Sequence, residues 1–389
     1  MIRAMRKTRL YTPGPTPLIP EAQLAMARPL IHHRTPEFKE LLLETRTNLQ
    51  KIFRTNQEML ILSSSGTGAM EAAVSNLHRP GDKVIAVVAG KFGERWAELA
   101  KAFGLDCVLL EKEYGEAASV DEIAALLSNH SDARSVMIQG CETSTATAHD
   151  LEAIGRRLSA EFSDVLLIVD AITSVGCQAV EPEAWGLDVV ICGSQKAFGI
   201  PPGLAFLSLS TKALAALEEN APAAPHYYFD LRKELKNQKG GSTAFTPAIS
   251  LIVALNEATK LMLAEGMDRV IATAEAMARS ARAGLQALGF ELLSSSPANA
   301  ATAAFPPSGI GADELRVALE KQYGIKLAGG QGKLKGKIVR IAHLGYFDEL
   351  DVITVLSSIE LLLRSSGMLP ELGRGVVAAM KELSGGAGN

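Results

Sequence analysis

Apolar positions in the first two hundred residues follow two different periods. Residues 36–53, 94–103, 120–127 and 151–161 place apolar side chains every three to four positions, the spacing of a helix with one face against a core. Between them lie short apolar runs at 59–62, 84–88, 107–110, 135–139, 165–169, 188–192 and 205–209. Such runs are strand-sized, and strands apolar on both faces belong in a sheet covered on both sides. Their alternation with helices predicts an α/β fold around a mainly parallel central sheet. A serine- and glycine-rich turn at 63–68 precedes a helix predicted over 69–77. Near Pro222 the pattern changes. Residues 222–247 read as polar and irregular, and helices follow over 248–264 and 268–288 with Gly266 between them. Residues 290–360 mix short strands, such as 338–341, with helices, such as 312–323, which predicts a smaller C-terminal α/β domain. The chain divides on this reading into an N-terminal segment, 1–20, a large domain, 21–255, and a small domain, 256–389. The glycine-rich tail after Gly373 is expected to be loosely ordered at its end.

A length of 389 residues suits two domains. Net charge is −4, which offers no electrostatic case for nucleic acid or an anionic membrane as partner. No stretch of membrane-spanning length lacks a charge or a turn. The basic tip Arg3, Arg6, Lys7 and Arg9 is followed by Tyr11-Thr12-Pro13-Gly14-Pro15 and not by an apolar segment, so no secretory signal is expected and a cytoplasmic location is. Cys107, Cys141, Cys177 and Cys192 match no zinc or iron–sulfur spacing and read as small buried residues without disulfides. The adjacent pair His32-His33 makes a poor metal site, and no metal is expected.

Candidate chemistry falls at the carboxyl ends of the predicted strands, where open parallel sheets bind ligands. Ser65-Gly66-Thr67-Gly68 follows a strand and opens a helix, a place where backbone N–H groups meet phosphate. It lacks the lysine of a nucleotide loop, and Glu71 stands where a dinucleotide fingerprint has its third glycine. Asp170 ends an apolar strand and is placed to meet the protonated nitrogen of a bound ring. In Gly193-Ser194-Gln195-Lys196, Lys196 follows another buried strand and is placed to form an imine with an aldehyde cofactor and then to move a proton. Ser194 and Gln195 are within reach of a phosphate. Phe92 offers a face for stacking, Thr143 a hydroxyl for a ring oxygen, and Arg340 a fork for a carboxylate. Taken singly, each also has an ordinary structural reading: a tight turn, a capping aspartate, a surface lysine, a core aromatic, a loop threonine, a salt-bridged arginine.

Together these segments resemble the class V aminotransferases, in particular the alanine-glyoxylate and serine-glyoxylate (serine-pyruvate) branch. The resemblance rests on Tyr11-Thr12-Pro13-Gly14-Pro15-Thr16-Pro17, His32-His33-Arg34-Thr35-Pro36-Glu37-Phe38, Ser65-Gly66-Thr67-Gly68, Gly90-Lys91-Phe92-Gly93, Glu142-Thr143-Ser144-Thr145, Val169-Asp170-Ala171-Ile172-Thr173-Ser174, Ser194-Gln195-Lys196 and Val339-Arg340-Ile341. It implies a fold-type I transferase with pyridoxal 5'-phosphate held on Lys196 as a Schiff base. Ser65, Gly66, Thr67, Gly68, Ser194 and Gln195 would surround the phosphate. Phe92 would cover the ring, Thr143 donate to its hydroxyl and Asp170 pair with its nitrogen. Arg340 and Gly14 would meet the substrate. It also implies a homodimer in which Thr243 or Thr246 of Gly241-Ser242-Thr243-Ala244-Phe245-Thr246-Pro247 reaches the partner's phosphate. The activity implied moves an amino group from alanine or serine to glyoxylate or pyruvate. Other class V chemistry of the lyase or desulfurase type, or a non-catalytic subunit of a larger complex, are the alternatives. Two departures matter. Phe92 stands where some relatives carry tryptophan, and phenylalanine still offers a stacking face. Cys141 stands where many carry histidine or asparagine and Ala146 where glycine is common, and these changes line the approach to the site.

Overall fold

A computed structural model describes residues 7–221, 226–369 and 371–385. Its central sheet has seven strands in the spatial order Glu58–Leu62, Ala205–Leu209, Val189–Gly193, Leu166–Asp170, Ala133–Gln139, Lys83–Val88 and Asp106–Glu111. The last five run parallel to one another, and Ala205–Leu209 is antiparallel to both of its neighbours. Successive side chains of a strand point to opposite faces, so each strand feeds two cores. Val87, Val136, Ile138, Leu167, Val169 and Val190 pack on one side with Phe38, Leu42, Leu49, Ile252 and Leu255. Val84, Ala86, Met137, Ile168, Val189 and Ile191 pack on the other with Ala69, Met70, Leu77, Trp96 and Ala100. The helices that supply these partners are Pro36–Ile52 and Ile249–Glu265 on the first face, Gly66–Leu77 and Lys91–Ala102 on the second. Pro36 sits at the start of its helix, where its missing N–H costs nothing, and Thr35 accepts a hydrogen bond from Phe38 N.

A second sheet of five strands has the order Arg9–Tyr11, Ile325–Gly329, Val339–Ala342, Ala301–Phe305 and Glu291–Leu292. Helices Met267–Ala287, Ala312–Tyr323 and Glu349–Ser365 bury Leu285, Leu315, Leu319, Val355 and Ile359 against it. Two features bear on the expected divisions. Arg9–Tyr11, inside the expected N-terminal segment, pairs in parallel with Ile325–Gly329 and so adds an edge strand to the second sheet; residues 1–6 lie outside the described residues. A boundary between 255 and 256 would cut Ile249–Glu265, whose buried Ile252, Leu255, Ala258 and Met262 belong to the large domain's core. Gly266, with φ +88°, separates this helix from Met267–Ala287, which packs on the second sheet.

Local order also exceeds the expectation in three places. The helix expected from residue 69 begins at Gly66, with Ser65 at its cap position. Within the stretch read as irregular lies the helix Leu231–Lys239, opened by Asp230, whose carboxylate accepts from Arg232 N and Lys233 N. It is polar almost all round, so it carries no apolar period to read, and residues 222–225 lie outside the described residues. The tail forms the helix Arg374–Gly385, capped by the buried Glu360, which accepts from Gly373 N, Gly375 N and Val376 N. Its last residues, 386–389, lie outside the described residues.

The unexpected helix has a structural task. Gln238 is fully buried, and its amide accepts from Ile61 N at 3.0 Å and donates to Ile61 O at 2.7 Å, pairing the outer edge of Glu58–Leu62 as another strand would. Replacing Gln238 by alanine is expected to strand both Ile61 groups and cost about 1–3 kcal/mol of stability. Chemical denaturation measures this; a midpoint equal to that of the unaltered protein would refute the role.

Candidate active site

The strands Leu166–Asp170 and Val189–Gly193 run parallel and end side by side, Asp170 in register with Ile191. Their carboxyl ends open on a cleft with about 420 Å³ of space not filled by atoms, open solvent included. The first strand delivers Asp170, Ile172 and Thr173 to the cleft, and the second delivers Gln195 and Lys196. Helix Gly66–Leu77 enters with Ser65, Gly66 and Thr67, and helix Lys91–Ala102 with Phe92 and Arg95. Thr143 comes from the loop between the short strands Cys141–Glu142 and Thr147–Ala148. A Cβ at Gly66 would displace the end of the Ile172 side chain, which packs close against the start of the helix.

Lys196 is held from above by the N-terminal segment. Its Nζ donates to Pro13 O at 2.6 Å, and Thr16 Oγ1 donates to Lys196 O at 2.9 Å. Gly14 crosses the amine with φ +134°, and any Cβ there would overlap Nζ. Burial lowers the Lys196 amine from 10.5 to about 8, against the opposing pull of Asp170's negative charge. The same burial raises the Asp170 carboxyl from 3.8 to about 6, although Ile172 N donates to its Oδ1 at 2.9 Å and Arg95 and Lys196 bring positive charge.

Glu142 organises the opposite wall. It is fully buried, and its carboxylate accepts from Phe92 N at 3.0 Å, Gly93 N at 2.9 Å, Ser144 N at 3.1 Å and Ser144 Oγ at 2.5 Å. It therefore sits on the N-terminus of the helix that carries Phe92 and Arg95, where a negative charge is favoured. Burial still raises its carboxyl above the usual range. Arg340 reaches across from the small domain: Nη1 donates to Thr143 O at 2.8 Å and Nε to Gly329 O at 2.9 Å. Burial lowers this guanidinium to about 10, and the charge of Glu142 pulls it back up.

Ser65, Gly66, Thr67, Phe92, Thr143, Asp170, Gln195 and Lys196 thus meet in one cleft, with Gly14 against Lys196 and Arg340 bonded to the Thr143 backbone. Other expected residues do not face it. The Ser194 hydroxyl is turned away, donating to Pro201 O at 2.8 Å and accepting from Leu204 N at 3.2 Å. Gly68 lies against Ser64 and Phe229, a packing position on the far side of the turn. Thr243 and Thr246 line a separate depression with Tyr228, Phe229, Phe245 and Pro247, and Thr243 Oγ1 donates to Phe245 O. The Thr143 hydroxyl is paired with Thr173 Oγ1 at 2.7 Å. Sequence reasoning assigned no role to Arg95, Ile172, Thr173 or Glu142. Arg95 had a signal, since a residue three positions after Phe92 on a helix shares its face; Ile172 and Thr173 lie in a turn, and Glu142 in a strand of two residues, too short to show a period. Ala146 has φ +55°, a conformation that favours glycine, while its methyl group packs with Ala301, Ala303, Leu334 and Ile338.

Comparison with known proteins places this geometry in context. The sequence model of the family described as Aminotransferase class-V matches residues 22–342. The chain is 38% identical over 382 residues to the soluble hydrogenase, small subunit, of Synechococcus sp. (strain PCC 6716), covering 97% of this chain and 99% of that one. It is 32% identical over 382 residues to the serine–glyoxylate aminotransferase of Hyphomicrobium methylovorum, covering 96% and 94%. Among solved structures, the aspartate aminotransferase of subgroup IV from Thermus thermophilus matches with a TM-score of 0.85 at 35% identity, covering 92% of this chain and 99% of that one.

The depressed amine yields a direct expectation. Below its midpoint the amine is protonated and unreactive, and above it the lone pair is free. In protein stripped of any bound aldehyde, modification of Lys196 by an amine-selective reagent should therefore rise with pH through a midpoint of about 8. Peptide mass spectrometry measures it; a midpoint at the ordinary lysine value of 10.5 would show that burial does not tune this amine.

Proposed function

We propose that this chain, which belongs to the class-V aminotransferase family, moves the amino group of alanine or serine to glyoxylate or pyruvate and works as a homodimer. Its cofactor is pyridoxal 5'-phosphate, and its chemistry is that of an aminotransferase. The cleft fits that cofactor on its own terms. It holds one amine with a lowered pKa and one carboxylate at a strand end. It also holds a buried Gln195 Oε1 with no hydrogen bond inside the protein, so the amide has bonding capacity left for a ligand. When bound, the cofactor supplies an aldehyde that takes up the amino group and a protonated ring that withdraws electrons from the bond being broken.

The residues divide the remaining work. Lys196 Nζ would hold the aldehyde and is the base placed to take the proton from the donor's α-carbon. Asp170, buried at the strand end, would keep a proton on the ring nitrogen. Phe92 covers one face of the ring and keeps water from it. Ser65, Gly66, Thr67 and Gln195 receive the phosphate at the helix N-terminus. Arg340 keeps N–H donors beyond those given to Thr143 O and Gly329 O, and these grip the α-carboxylate of donor and acceptor. The observation that carries the reading is the convergence of Lys196 and Asp170 in one buried cleft with Arg340 at its edge.

A small substrate is supported by the cations of the cleft. Among the described residues lining it, only Lys196 and Arg95 are basic, and Arg95 is engaged with Thr67. The serine–glyoxylate relative points the same way, and the aspartate relative is the competing case. Desulfurase chemistry lacks a nucleophile here: no cysteine lines the cleft, and burial pushes the Cys141 and Cys192 thiols up to about 12. The dimer is supported by Thr243 and Thr246 lying outside their own cleft, beside Tyr227 and Tyr228, which are 78% and 49% exposed. Among the described residues no helix is long and apolar enough to cross a membrane. Four unpaired cysteines support a reducing, cytoplasmic setting.

The purified protein given pyridoxal 5'-phosphate should show a near-visible absorption band that borohydride abolishes, leaving an adduct on the Lys196 peptide. Lys196→Ala should lower turnover by about 10²- to 10⁴-fold, and Arg340→Gln should lower kcat/KM by about 10- to 100-fold. Alanine, serine and aspartate are assayed against glyoxylate, pyruvate and 2-oxoglutarate. Preference for aspartate over both small donors would overturn the substrate assignment, and full activity without Lys196 would overturn the mechanism.

A further inference from the structure

Arg95 has no part in the reaction as described, yet it lines the cleft. It lies one helical turn beyond Phe92, and its guanidinium stands over that ring, 4.9 Å from the centroid. Its Nη1 donates to Thr67 Oγ1 at 3.0 Å. Among the described residues no carboxylate lies within ion-pair distance of it. A positive charge facing a cleft with no carboxylate in ion-pair contact, only the longer-range charge of Asp170, has capacity left for an anion.

The direction of the bond to Thr67 matters. A hydroxyl that accepts from an arginine has its own hydrogen free to donate elsewhere. Thr67 stands in the first turn of helix Gly66–Leu77, so its O–H is available to an anion at that helix's N-terminus. Arg95 thereby links two walls of the cleft, the glycine turn through a hydrogen bond and the stacking aromatic through its planar face. Lysine has neither the fork nor the plane to do both.

We propose that Arg95 is a positioning residue that makes the cleft select the phosphorylated pyridoxal ring over the same ring without its phosphate, by orienting the Thr67 hydroxyl and supplying the cation opposite the phosphate. The proposal deepens the cofactor reading above and rests on it. Its effect falls on the phosphate alone, so the quantity to measure is the ratio of two affinities and not activity.

Pyridoxal 5'-phosphate and pyridoxal are titrated separately into cofactor-free enzyme. Binding is followed by the near-visible absorbance and by quenching of intrinsic fluorescence, for which Trp96, next in sequence to Arg95 and fully buried, is a built-in reporter. Arg95→Gln should weaken pyridoxal 5'-phosphate about 10- to 100-fold and change pyridoxal by less than about threefold. Arg95→Lys keeps the charge and should lose less of the ratio; it carries the same test if the glutamine variant does not fold. An unchanged ratio in the variants overturns the proposal, and so does an equal loss for both ligands, which is what a merely structural arginine would produce. A raised KM for aspartate with the ratio intact would assign Arg95 to the substrate instead. Unaltered enzyme that bound neither ligand would sink the cofactor reading itself, a result distinct from failure of Arg95.

Discussion

One buried carboxylate holds the two domains' contributions to the cleft in place. Glu142 is closed off from solvent and surrounded by donors: the first amides of helix Lys91–Ala102 and both donors of Ser144. A charge buried without partners costs several kcal/mol, so the fold keeps Glu142 only because those donors converge on it. Hydrogen bonds to a charged group contribute about 1.5–3 kcal/mol each, which makes the helix start and the loop Cys141–Ala148 a single unit. Phe92 and Arg95 take their positions from the helix side of that unit, and Thr143 from the loop side. Arg340 then docks on the Thr143 carbonyl, with the charge of Glu142 nearby to favour it.

The N-terminal segment ties the small domain to the lysine. Strand Arg9–Tyr11 belongs to the small sheet, and Tyr11 Oη donates to Asp351 Oδ1 at 3.2 Å. A few residues later the chain lies on Lys196 through Pro13 and Thr16. Gly345 of the small domain closes against the same place, since a Cβ there would crowd Thr16 Oγ1 and Lys196 O. The small sheet and the amine are therefore joined by a short covalent path.

Strand ends were legible because buried parallel strands announce themselves as apolar runs. Asp170, Lys196 and Arg340 could be placed at or within such runs from sequence, and the glycine turn at the head of a helix could be placed likewise. Helix Leu231–Lys239 was hidden because its stability comes from the Asp230 cap and the Gln238–Ile61 pairing, neither of which leaves an apolar period. The Ser194 hydroxyl turns from the cleft for a related reason. It satisfies Leu204 N and Pro201 O, which come from the return loop ten and seven residues on, and no local pattern announces that demand. Ala146 shows the reverse case, a residue whose strained φ of 55° is offset by a methyl contact made only in the folded chain.

The sequence by itself determined the α/β architecture and the residues that terminate its buried strands, because periodicity and chain order are local properties of the chain. Tertiary structure decided which of those residues share a cleft, that Lys196 lies under Pro13 and Gly14 with its amine lowered to about 8, and that Arg95 and Glu142 belong to the site at all. Burial, charge proximity and hydrogen-bond direction arise between segments far apart in the chain, as Arg340 and Thr143 are at a hundred and ninety-seven positions, and exist only once the two sheets have packed.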